Sequence, residues 1–222
     1  MSEISVHKSE VTKKLWNKMI KSIIRALIAL IWTLTSWWCL ALILPAPPSP
    51  SFRAFGDNQY WITLEDMTYV IGNTSQSITV PKGFVTDFAS IPRGLWLLGL
   101  SPYGQYGRAA VIHDYLYWAQ GCTKDQADRL LVIAMKESAV NNFDELAIYK
   151  GVSLGGNRPW KANAAERKEG LPRVVPEIYL RPVNPNINWP KYRALLIKNR
   201  VKDPVFEQNP PFCVLGNSTR VP

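Results

Sequence analysis

The chemistry available to this chain is narrow. It has two histidines in 222 residues, and only His113 lies beyond the N-terminal segment. A zinc site built on two or three histidines is therefore excluded. No Cys-x-x-Cys pair occurs among Cys39, Cys122 and Cys213, which argues against a zinc ribbon. Any acid–base mechanism must run through His113 or through carboxylates alone. His113 and Asp114 are neighbours in RAAVIHDYLYW, residues 108–118. On a helix they point about 100° apart, so one can face a reacting water while the other faces a cation. Tyr117, four residues on, shares the face of His113. Asp128 lies in DQADRLL, on the next predicted helix. A short helical hairpin would bring it back against His113, where a carboxylate sets the imidazole tautomer and stabilises its charged form. Asp125 reads as a first-turn helix charge instead. Asp87, in TDFAS, reads as a turn or cap residue, with a second role open as a cation ligand. The plain alternative for the whole cluster is a buried polar network joining two helices.

The elements that would position these groups follow from pattern. Residues 59–71 alternate and carry β-formers, with a break at Glu65-Asp66 and a turn signal at Gly72-Asn73. Ser77 to Val80 reads as a third strand, and residues 83–95 as a strand end running into an irregular loop. One helix is expected from Arg108 to Ala119, ending at Gly121. The next opens at Thr123, with Gln126 in the capping-box position. A third, capped by Asn142, covers Asp144 to Leu154 and carries Gly151 and Gly155, whose spacing allows close helix approach. Regular structure is expected to thin out after Pro159, apart from a short helix from Trp189 to Arg200 with Pro190 in its first turn. The fold class expected is α+β: a small antiparallel sheet followed by a helical hairpin, with one N-terminal transmembrane helix.

That transmembrane expectation rests on residues 26–44, ALIALIWTLTSWWCLALIL, which carry no charge. Nineteen residues at about 1.5 Å each cover the hydrocarbon core. The organisation read from the chain is a basic cytoplasmic segment over 1–22, a membrane span over 23–44 and a Pro-rich linker over 45–57. A globular domain over 58–156 and a basic, Pro-rich extension over 157–222 follow. Six Lys and Arg precede the apolar run, which places the N-terminus in the cytoplasm and the C-terminal domain outside it, in a host inner membrane or a virion membrane. The net charge of +9 is unevenly spread. Residues 45–156 hold 8 Lys and Arg against 10 Asp and Glu, whereas residues 157–222 hold 12 against 5. The extension thus suits an anionic partner, lipid headgroups or nucleic acid, or is simply a solvated basic tail. Nine prolines from Pro172 on argue against a second folded domain. In an oxidising compartment Cys122 and Cys213 can pair; two free thiols are the other reading.

The stretches VPKGFVTDFASIP, AAVIHDYLY and ADRLL, in that order, resemble a phage-encoded family, domain of unknown function 1353, over about residues 58–156. The resemblance implies a viral or prophage origin and supplies no activity. His-Asp-x-x-Tyr followed by Ala-Asp on the next helix also resembles the phospholipase A(2) core. That likeness implies His113 as general base, Asp114 as calcium ligand, and Tyr117 and Asp128 as the pair that orients the histidine. Calcium would polarise the ester carbonyl, with Asp87 as a further ligand, and no small-molecule cofactor is implied. The upstream stretches SIPRG, 90–94, and GLSPYG, 99–104, depart from the loop that supplies backbone calcium ligands in that family. The function expected is a single-pass, membrane-tethered, calcium-dependent lipid esterase acting on membrane lipid. A non-enzymatic virion or host-interaction protein is the alternative. A cell-wall hydrolase ranks third, for want of paired glutamates or a zinc triad.

Overall fold

The computed structural model describes residues 16, 18–25, 48, 51–88, 106–181, 184 and 186–222. The chain divides into two units, Met1–Ile43 and Leu44–Pro222. In the first, residues 18–25 are helical, with Met19, Ile23 and Ile24 exposed. The expected span over 23–44 is corrected here. Residues 26–44 lie outside the described residues, and among the described residues no helix is long and apolar enough to cross a membrane. The single-pass topology, the extracytoplasmic placement and the membrane-lipid partner all rested on that span and are corrected with it.

The second unit is α+β. Strands β1 (Phe52–Ala54), β2 (Trp61–Thr63) and β5 (Val85–Thr86) form an antiparallel sheet in the order β1-β2-β5. Strands β3 (Met67–Val70) and β4 (Ser77–Val80) form a separate hairpin, with Met67 opposite Val80 and Val70 opposite Ser77. The alternation of β3 and β4 buries Met67, Tyr69, Ile78 and Val80 and exposes the residues between. Strand β1 lies inside the expected linker; three residues carry too little alternation to stand out locally. Among the described residues five α-helices follow: α1 (Gly107–Ala119), α2 (Lys124–Glu137), α3 (Asn142–Gly155), α4 (Asn157–Lys168) and α5 (Trp189–Lys198). In α1 only Arg108 and Tyr115 escape full burial. A helix apolar nearly all round is covered on every side, and here α2, α4 and both sheets pack on it. Helix α2 has the expected capping box between Thr123 and Gln126. Helix α3 starts two residues before the expected Asp144, with Asn141 as its cap, accepting from the Asp144 amide.

The region after Pro159 departs from expectation. Pro159 sits in the first turn of α4, where a missing N–H leaves no intrahelical bond unmade. Parts of the chain beyond Pro172 are packed against the domain. Val175, Leu180, Trp189, Tyr192 and Leu196 close a second core with Phe55, Ile62 and Val85. Asp203 accepts the Arg173 and Val174 amides at 2.8 and 2.7 Å and the Trp118 indole at 2.5 Å. Burial raises the Asp203 carboxyl pKa, and those three bonds offset this only in part. A disulfide joins Cys122 to Cys213 across 91 residues, so of the two readings of these cysteines pairing is the one seen. Several basic groups of the expected tail are turned inward. Arg193 reaches Glu166 and the Pro172 carbonyl, and Arg167 reaches the Ala119 carbonyl. The guanidiniums of Arg173 and Arg193 both lie over the Trp118 ring, each 5.5 Å from its centroid.

Candidate active site

Helices α1 and α2 are joined by residues 120–123, a connection short enough to fold one back on the other. This puts Asp128, on the second turn of α2, against the middle of α1. The His113 Nε2 lies 2.9 Å from Asp128 Oδ1, and the Tyr117 hydroxyl donates to the same oxygen at 2.7 Å. Their i,i+4 spacing stacks the His113 and Tyr117 rings, with centroids 4.1 Å apart. Lys124 donates to Asp128 Oδ2 at 2.7 Å and to the Val152 carbonyl at 3.2 Å. One ammonium thereby neutralises the aspartate and caps the C-terminal end of α3. Burial pushes the Asp128 carboxyl up, but the bonds and charge of His113, with those from Lys124 and Tyr117, outweigh it and hold the carboxyl below the ordinary aspartate range. Tyr117 is pushed the other way, by burial and by its bond to Asp128, and stays a neutral donor.

Asp114 points elsewhere, as the 100° offset requires. It accepts the Thr86 hydroxyl at 2.5 Å, which ties α1 to β5. Asp87, next along from β5, lies 3.3 Å from Arg173 Nη2. His113, Asp114, Tyr117 and Asp87 all line one cavity of about 220 Å³. The lining also includes Gly151, Val152, Gly155 and Gly156 at the end of α3, with Pro159, Asn163 and Arg173. Gly156 is where close approach matters: a Cβ there would run into the Tyr117 hydroxyl and the Val152 carbonyl. A Cβ on Gly155, expected at a helix–helix contact, would meet nothing beyond its own helix within 4 Å, and the residue lines the cavity instead.

Of the residues singled out in sequence, the structure joins His113, Tyr117 and Asp128 by hydrogen bonds and ring contact, and Asp114 and Asp87 line the same cavity as His113 and Tyr117. The two proposed cation ligands have other neighbours, Thr86 and Arg173, and among the described residues no group of three or more His, Cys, Asp or Glu is placed to hold a metal ion. The stretches 90–94 and 99–104 lie outside the described residues. Sequence reasoning missed Lys124, although its i,i+4 spacing to Asp128 was legible. It also missed Asn163 and Arg173, which no local spacing links to His113.

Comparison with known proteins finds one family match. Residues 61–152 match a family model described as protein of unknown function (DUF1353). No curated protein and no solved structure matches the chain. The match covers α1, α2 and most of α3, but stops short of Asn163 and Arg173. It corrects the expectation of a membrane-tethered, calcium-dependent phospholipase: the matched family's description assigns no activity, and the membrane span on which the lipid substrate depended is not seen among the described helices.

Proposed function

With residues 61–152 belonging to the DUF1353 family, whose description assigns no activity, we propose that the chain is a hydrolase in which His113 is the general base that activates water. The observation that supports this is the 2.9 Å contact of His113 Nε2, on a residue that lines the cavity, with the Asp128 carboxylate, which its partners hold below the ordinary aspartate range. An ionised Asp128 accepts the proton on Nε2, which assigns the lone pair to Nδ1. Nδ1 takes a proton as the water oxygen attacks an ester or amide carbonyl, and the imidazolium formed is stabilised by Asp128. The same proton then passes to the leaving alcohol or amine, so the products are acid and alcohol, or acid and amine. Tyr117 and Lys124 keep Asp128 in register and ionised; neither reacts.

The test is turnover of a p-nitrophenyl ester and a p-nitroanilide by the full chain and by His113→Gln. Loss of a general base lowers kcat by about 10²–10⁴-fold with folding retained. A variant as active as the wild type, or a wild type that turns over neither compound, overturns the reading.

A further inference from the structure

Arg173 is the one Lys or Arg that lines the cavity among the described residues, and it comes from outside the matched family segment. Its side chain is held in place before any ligand arrives. Nε donates to the Val85 carbonyl at 2.8 Å, and the guanidinium lies over the Phe84 and Trp118 rings. Its remaining contacts are long: Nη1 to Asn163 Oδ1 at 3.4 Å and Nη2 to Asp87 Oδ1 at 3.3 Å. A guanidinium has five N–H donors. Among the described residues three are engaged, two of them weakly, so the fork of this cavity-lining side chain retains donor capacity. A pre-positioned guanidinium loses little freedom on binding and matches a planar two-oxygen acceptor.

We infer that Arg173 is the anchor for a carboxylate on the substrate, held in the cavity that His113 also lines. The inference deepens the hydrolase reading by naming its substrate class, and it rests on that reading for turnover but not for binding. Two features select a carboxylate over a phosphate. The cavity already holds Asp87 and Asp114 against the single guanidinium, so a second negative charge on the ligand meets resident carboxylates. Its volume of about 220 Å³ also suits a short chain end rather than a whole large ligand. In the same cavity, Val152, Pro159 and the bare backbone of Gly155 offer room for a few methylene groups.

The full chain is titrated with propionate, with its neutral counterpart propionamide and with inorganic phosphate, following NMR shifts and melting temperature. Propionate is expected to bind saturably and ahead of both others. Arg173→Lys keeps the charge and loses the fork; losing one charge-assisted bond weakens propionate roughly tenfold. Asp87→Asn removes the competing carboxylate and is expected to tighten propionate, a gain that a merely structural Asp87–Arg173 pair does not give. This second variant also decides the matter if Arg173→Lys fails to fold. Equal binding of propionate and propionamide, phosphate binding ahead of propionate, or no gain in Asp87→Asn overturns the inference. A wild type that binds propionate but hydrolyses no ester supports the subsite and removes the hydrolase. One that hydrolyses neutral esters without binding propionate does the reverse.

Discussion

Asp128→Asn is the substitution whose cost the geometry defines best. The carboxylate accepts from His113 and Tyr117 at Oδ1 and from Lys124 at Oδ2. An asparagine has one acceptor oxygen and one donor amide. If the oxygen keeps His113 and Tyr117, the amide hydrogens face the Lys124 ammonium, whose side chain is only 11% exposed. If the oxygen turns to Lys124, the Tyr117 hydroxyl loses its acceptor. One unsatisfied buried donor costs about 1–3 kcal/mol, and breaking a buried charge pair costs about 3–5 kcal/mol. The expected loss is about 3 kcal/mol, or roughly 6–12 °C in Tm for a domain of this size. The pH dependence gives a second check. The folded Asp128 pKa lies below the ordinary aspartate value of 3.8, so its stabilising contribution is complete above that value and is lost as pH falls through the lowered one. Urea melts of wild type and variant should differ most near neutral pH and converge in acid. A loss under about 0.5 kcal/mol, or a gap that stays constant down to the acid limit, would refute the claim that Asp128 is an ionised acceptor for all three donors.

Reducing the Cys122–Cys213 disulfide, or replacing both cysteines with serine, should cost about 4–5 kcal/mol on the loop-entropy estimate for a 91-residue separation, read as a drop in urea midpoint; an unchanged midpoint would show that the tail is held without it. A chain ending at Leu171 should fail to fold cooperatively, because it lacks Val175, Trp189, Tyr192 and Leu196 of the second core and the Asp203 acceptor; a sharp, native-like melt would disprove the structural role of that region. Gly156→Ala should cost about 1–3 kcal/mol through overpacking against Tyr117, measured by thermal melting, and neutral behaviour would contradict the close approach of α3 to α1.

Much of the hairpin was legible locally. The Thr123–Gln126 capping box, the Gly72 turn and the Pro190 helix start are each read from a few neighbouring residues, and each is present. The closeness of Asp128 to His113 also followed, because a short connection between two helices leaves few ways to pack them. The Pro-rich C-terminal region misled for a physical reason. Its order comes from Asp203 gripping backbone amides, Arg193 gripping the Pro172 carbonyl, and a disulfide. None of these has a helical or strand period, so composition alone reads as an unstructured tail.

By itself the sequence determined the chemical inventory: one histidine in the domain, no zinc site with several histidines, and a carboxylate within reach of that histidine on the next helix. Spacing along a chain specifies only what lies within a turn or a hairpin. Only the tertiary structure decided that Asp87 meets Arg173, that Gly156 rather than Gly155 is the point of close approach, and that Asn163 and Arg173 line the cavity. Arg173 lies 60 residues beyond His113 in the chain, and its place is set by the Val85 carbonyl, the Asp203 carboxylate and two aromatic rings. Contacts over that separation follow from how the layers pack, and no residue pattern along the chain encodes them.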